Sequence, residues 1–182
     1  DKSKVDFATA REEYYEYPAA LPTVEFSTIK QDLYRRDFTI NAMALRIDRK
    51  NFGELLDFFG GLADLKKKRI KVLHGLSFMD DPTRIFRAVR FEQRYNFKIE
   101  PYTEALIKNA IEIKMFERIS KQRLREELIR ILSEDNPIKA IKRMADLNEM
   151  RFIHPSINFN RKKMELLGSA REAIKWFGSA PR

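Results

Sequence analysis

Strand-like alternation stops at about Leu73, and nothing beyond it reads as a strand. That switch restricts the chain to an α+β piece followed by an all-helical piece. In the first piece, "KVDFATAR" (Lys4–Arg11) reads as a short strand, and the Tyr-, Glu- and Pro-rich "EEYYEYPAALP" as a loop. "STIKQDLYRRD" predicts a helix capped by Ser27. "AMALRID" puts Met43, Leu45 and Ile47 on one face and Ala44, Arg46 and Asp48 on the other. With "GELLDFF", after a turn at Asp48–Asn51, it predicts a β-hairpin. "GGLADLKKKR" punctuates the hairpin, and "IKVL" is a further short strand. In the second piece, helices are predicted over Pro82–Tyr95, from a Thr103 cap to Ile113, and from a Ser120 cap to Leu132. Asn136-Pro137 starts another that runs to about Asn148, and Lys162–Phe177 is the last. The boundary between the pieces falls within Gly60–Ser77.

Charge adds a functional hint. The formal net charge is +9 with both signs abundant, which suggests an anionic partner, nucleic acid being the commonest. The plainer reading is a highly charged surface, as in heat-adapted proteins. There is no cysteine, so disulfides and thiolate metal sites are excluded and an intracellular, cytoplasmic protein fits. No apolar run is long enough to span a bilayer, so no membrane partner is expected. The chain lacks an initiator Met and opens almost at once on "VDFATA", which suggests a fragment of something longer.

The strongest local signal is "MDDPTRIFRAVRFEQRYNF". On a helix, Arg84, Arg87, Arg90 and Arg94 fall within an arc of about 120°, with Asp81 at its N-terminal edge and Ile85, Phe86 and Val89 opposite. A solvated basic face explains such a run in most helices. Here all four cations are Arg, and like charges on one face repel. Arg suits planar contacts to phosphate or a base edge. Asp81 and Arg84, an acceptor and a fork of donors one turn apart, can mimic the edge of a complementary base, although Asp before Pro82 is also a good helix N-cap. In "RRDFTIN", Asp37 and Asn41 suit a pair of ribose hydroxyls and Arg36 a phosphate. A local salt bridge with an Asx-type cap is the alternative. Asp6, on the predicted first strand, is a candidate metal ligand or simply an exposed strand position.

Taken together, these segments resemble one family: the class II (bacterial-type) tRNA nucleotidyltransferases and bacterial poly(A) polymerases. "RRDFTINA" is similar to its ribose-recognition motif and "DFFGGLADL" to the motif linking palm and neck. "DDPTRIFRAVRF" resembles its nucleotide-selecting helix, EDxxRxxRxxRF, with Asp80 in place of Glu; "RISKQRLREELIRIL" resembles its neck-helix motif. The similarity runs to about Pro155.

The resemblance implies an α+β fold: the C-terminal part of a nucleotidyltransferase palm over residues 1–73, a helical neck over 74–155 and the start of a helical body over 156–182. It implies that Asp81 and Arg84 read the base of ATP or CTP, that Arg36, Arg87 and Arg90 lie along the nucleotide towards its triphosphate, and that Asp37 and Asn41 hold the ribose. Asp6 aligns with a third carboxylate near the catalytic pair. The family's Asp-x-Asp strand, which binds two Mg²⁺ ions, has no counterpart in this chain. It is expected before Asp1, even on a separate chain, so these residues alone are expected to bind nucleotide weakly and catalyse nothing. The implied activity is addition of A or CCA to the tRNA 3′ end. A CC-adding enzyme, a poly(A) polymerase and a non-enzymatic RNA-binding helical module are the alternatives. The loop Arg11–Pro22 lacks the basic-acidic-basic character of many CCA adders, which keeps A addition open.

Overall fold

The computed structural model describes residues 4–147 and 160–179. Among these, the strands pair two by two. β1 (Arg11–Tyr14) runs antiparallel to β2 (Thr23–Phe26), with Arg11 opposite Phe26. β3 (Ala44–Leu45) runs antiparallel to β4 (Leu55–Leu56), the hairpin expected from the alternation. β5 (Arg69–Ile70) pairs in parallel with β6 (Lys98–Ile99). The helices are α1 (Ile29–Tyr34), α2 (Gly61–Lys66), α3 (Ser77–Asp80), α4 (Thr83–Tyr95), α5 (Pro101–Glu112), α6 (Lys121–Leu132), α7 (Pro137–Asp146) and α8 (Arg161–Ser179). The α+β character is as the sequence indicates.

Four local expectations need correcting. No strand forms over Lys4–Ala10; Phe7 is 91% exposed and Val5 69%. The ladder starts at Arg11, opposite Phe26 at the end of the antiparallel partner strand, so β1 runs into the Glu12–Pro22 segment read as a loop. The cap of α1 is Thr28, whose hydroxyl accepts from the Gln31 amide at 3.3 Å; the Ser27 amide is tied instead to the Ala10 carbonyl. The cap of α5 is Glu100, three residues before Thr103 and just before Pro101 at the first turn. Thr103 donates its amide to that carboxylate, and its hydroxyl accepts from the Val72 amide at 3.2 Å, so it staples α5 to the segment after β5. Finally, a strand does follow Leu73: β6 is two residues long, too short for any periodicity to reveal it. Ser120 caps α6 as expected, accepting from the Arg123 amide. Asn136 precedes α7 but makes no side-chain cap bond, and the expected end at Asn148 lies outside the described residues.

One buried cluster ties the α+β part to the helices. Phe38, Ile70 and Val72 pack with Phe78, Ile85, Phe86 and Val89, and the cluster continues through Ile107, Met115 and Ile131 to Met144. Ile85, Phe86 and Val89 are fully buried. The apolar face of α4 thus sits inside the molecule, and each such side chain contributes about 1.5–3 kcal/mol. With that face fixed, the direction of the arginine face is fixed too.

Candidate functional site

The segment after α1 is held from beneath. Asp57 accepts the Gly61 and Leu62 amides at 2.7 and 3.0 Å, which anchors the start of α2. A Cβ on Gly61 would collide with the Thr39 carbonyl oxygen and the Met43 side chain, so the second glycine of "GGLADL" permits the close approach of α2. Asp64 of α2 then accepts from the Thr39 hydroxyl at 2.9 Å. This fixes the turn Thr39–Asn41 and places Asn41 beside Asp37. Asp37 Oδ1 accepts from Asn41 Nδ2 at 3.0 Å and from the Phe38 amide at 2.9 Å. Its Oδ2 accepts from Arg87 Nε at 2.7 Å and Nη2 at 2.6 Å, across 50 residues of sequence.

Above this corner, α4 brings Asp81 and Arg84 to the same side. Asp81 Oδ1 accepts from the Thr83 amide at 3.0 Å, the Thr83 hydroxyl at 2.6 Å and Arg123 Nη2 of α6 at 2.8 Å. Arg84 is 5% exposed and donates to Ser77 Oγ at 2.8 Å and to the Arg35 carbonyl at 2.7 Å. An open cavity of about 630 Å³ lies between α1, the Thr39–Asn41 turn, α4 and α6. Arg36, Asp37, Asn41, Asp81, Arg84 and Arg87 all line it.

Two expected site residues lie elsewhere. Arg90 is buried over the Phe91 ring, 4.9 Å from its centroid, and reaches Glu134 at 3.4 Å; it does not line the cavity. The basic face of α4 is therefore not a continuous solvated ribbon: Arg90 and Arg94 turn to Glu134, and Arg87 to Asp37. Asp6 stands on an irregular segment, exposed and paired with Lys4 at 3.4 Å. No cluster of His, Asp or Glu among the described residues could hold a metal ion. The residues present therefore do not fit a Mg²⁺ site, and no step through magnesium is assigned to them.

The cavity also contains residues that the sequence reading left unassigned. Arg123, Glu127 and Arg130 come from α6, inside the segment quoted above as a neck motif. Tyr15 follows β1; burial, with a smaller contribution from Glu13, pushes its hydroxyl up to about 12. That hydroxyl donates to Glu13, which also accepts from Arg35 at 2.8 Å. Six arginines and five carboxylates line the cavity. Its resting charge is nearly balanced, so an anionic ligand must exchange with internal carboxylates rather than meet bare cations.

Two carboxylates in this framework titrate low. Burial of Asp32 opposes its ionised form, but hydrogen bonds from Arg35, the Arg11 amide and Arg36 outweigh it and hold the carboxyl below its ordinary value. Arg94, then Arg90, do the same for Glu134 despite its burial. Both groups bind protons more weakly folded than unfolded. Their stabilisation is thus complete above about pH 5 and is lost as pH falls through the lowered folded values. We expect the urea midpoint to drop as pH falls below about 4, with a shallower drop in Asp32→Asn. A midpoint that rises on acidification would contradict this assignment.

A small mixed head is thus followed by helices, and residues of both line one arginine- and carboxylate-rich cavity. The poly(A) polymerase head domain matches residues 1–71, and the probable RNA- and SrmB-binding site of polymerase A matches residues 96–160. An A-adding tRNA nucleotidyltransferase of Geobacter sulfurreducens is 51% identical over 97% of this chain and 20% of its own length. The apo form of a CCA-adding enzyme superposes with a TM-score of 0.89 at 52% identity, over 93% of this chain and 40% of that one. A CCA-adding enzyme in complex with ATP gives 0.79 at 52% identity, over 81% and 36%. The chain belongs to the class II tRNA nucleotidyltransferase family. It spans about a fifth of the length of the curated relatives it matches first.

Proposed function

We propose that the protein carrying these residues adds A, or CCA, to the 3′ end of tRNA, with the primer 3′-hydroxyl attacking the α-phosphorus of ATP or CTP and pyrophosphate leaving. One observation supports this most: Asp37 and Asn41 of the corner, Asp81 just before α4 and Arg84 within it line a single cavity. Asp81 and Arg84 read the base edge. Asp81 Oδ1 is occupied by Thr83 and Arg123, so Oδ2 is the atom offered to the base. Asn41 and Asp37 take the ribose. Arg87 and Arg36 take phosphate oxygens; the Arg36 side chain is 43% exposed and can swing from Asp32 to do so. Arg90 supports Phe91 and the α4 face rather than touching the nucleotide. Magnesium is supplied from residues outside those described. Residues up to 73 act as palm, those to 155 as neck and the remainder as the start of a body, in a cytoplasmic protein.

The relatives' names divide between A addition and CCA addition. The full-length protein should be given tRNA ending before the CCA, after its first C and after its second C, with ATP and CTP separately. Addition of A to tRNA ending in CC is expected, and use of CTP on the shorter primers separates the CCA adder from the A adder. No addition to any primer would contradict the proposal. A non-enzymatic RNA-binding module would instead show a steep salt dependence and no nucleotide preference.

A further inference from the structure

Arg84 is buried more deeply than contact with a ligand requires, and two acceptors orient it. Ser77 Oγ lies 2.8 Å from Nη1, and the Arg35 carbonyl oxygen 2.7 Å from Nη2. These bonds fix the plane of the guanidinium, and its other N–H groups remain for the cavity it lines. Ser77 also holds the partner acid. The Asp81 amide donates to the Ser77 carbonyl at 3.2 Å, so one residue contacts both Asp81 and Arg84. Ser77 is fully buried, and its hydroxyl does not cap α3, whose N-cap position is Leu76 with no side-chain bond. The side-chain bond that the hydroxyl makes is to Arg84.

We propose that Ser77 is a positioning residue for base selection: its hydroxyl sets the angle at which Arg84 meets the base edge beside Asp81. This rests on the base-reading role given to Asp81 and Arg84 above. The Arg35 carbonyl alone leaves the guanidinium free to pivot about one bond. A mismatched base could then find donors re-angled to suit it, while the contacts to ribose and phosphate stay as they are.

The test uses the full-length protein and tRNA ending in CC, with kcat and KM measured separately for ATP and UTP. Ser77→Ala and the near-isosteric Ser77→Cys, whose thiol is a weak acceptor, are compared with Asp81→Ala and Arg84→Ala, and thermal unfolding checks that each variant is folded. Both Ser77 variants should lose about tenfold in the ATP-to-UTP ratio of kcat/KM, mainly through a higher KM for ATP. If Ser77→Ala fails to fold, the Cys variant alone decides. An unchanged ratio in folded Ser77 variants, with the ratio lost in Asp81→Ala and Arg84→Ala, overturns the role of Ser77 alone. A uniform fall for both nucleotides overturns it too, because that is the mark of a merely structural residue. If Asp81→Ala and Arg84→Ala also keep the ratio, the base-reading role itself fails.

Discussion

Arg84→Ala should cost the full-length protein roughly ten- to a hundredfold of its preference for ATP over UTP, as expected when one bidentate base contact is lost. Affinity for tRNA should stay within about twofold, since Arg84 is 5% exposed and its accessible part faces the cavity rather than the outer surface. The variant should also be less stable. Removing the guanidinium leaves the Ser77 hydroxyl and the Arg35 carbonyl without their donor, which costs about 1–3 kcal/mol. Arg84→Lys keeps the charge but not the fork, so it should lose selectivity nearly as completely while recovering part of the stability. Incorporation assays with each nucleotide, beside chemical denaturation, separate the two effects. Retained selectivity in a destabilised Arg84→Ala protein would mean that the residue is structural only.

Asp37→Ala should be the most destabilising change in the cavity. The side chain is buried and ties the turn that holds the Phe38 amide and Asn41 to Arg87 of α4. Breaking a buried ion pair from one side costs about 3–5 kcal/mol. The Arg87 side chain is 30% exposed and can recover some hydration, so a loss near the lower limit, about 3 kcal/mol, is expected. Asp37→Asn retains an acceptor for the Phe38 amide and should lose less. In activity, both variants should narrow the preference for ATP over dATP, because the ribose loses an oriented acceptor. Urea denaturation and parallel assays with ATP and dATP report these outcomes. An Asp37→Asn protein with normal stability and normal ribose preference would show that the Asp37–Arg87 pair does neither job.

The readable parts of the sequence were those where neighbours in sequence do the structural work. The β3–β4 hairpin showed in the alternation of Met43–Ile47 and in the Asx turn, where Asp48 accepts the Lys50 and Asn51 amides. The Ser120 cap showed because a serine hydroxyl reaches an amide three residues on. The apolar stripe of α4 showed because three of its residues are fully buried on one face. What was hidden depended on distant partners. Arg87 finds Asp37, and Arg94 finds Glu134, across 50 and 40 residues. No local pattern announces such pairs, so the arginine face looked freer than it is. Arg123 could have been suspected, because it lies in a recognised motif on an amphipathic helix, but its reach to Asp81 depends on how α4 packs against α6. The Val5–Ala10 segment misled for the opposite reason: its composition suits a strand, while the described ladder runs from Arg11.

A structure of the full-length protein with ATP bound tests the central claim most directly. The base edge should lie within hydrogen-bond distance of Asp81 Oδ2 and Arg84, with the ribose beside Asn41 and Asp37 and the phosphates toward Arg36 and Arg87. Adenine bound away from Asp81 and Arg84, for example in the neighbouring pocket beside His74 and Asp80, would contradict it.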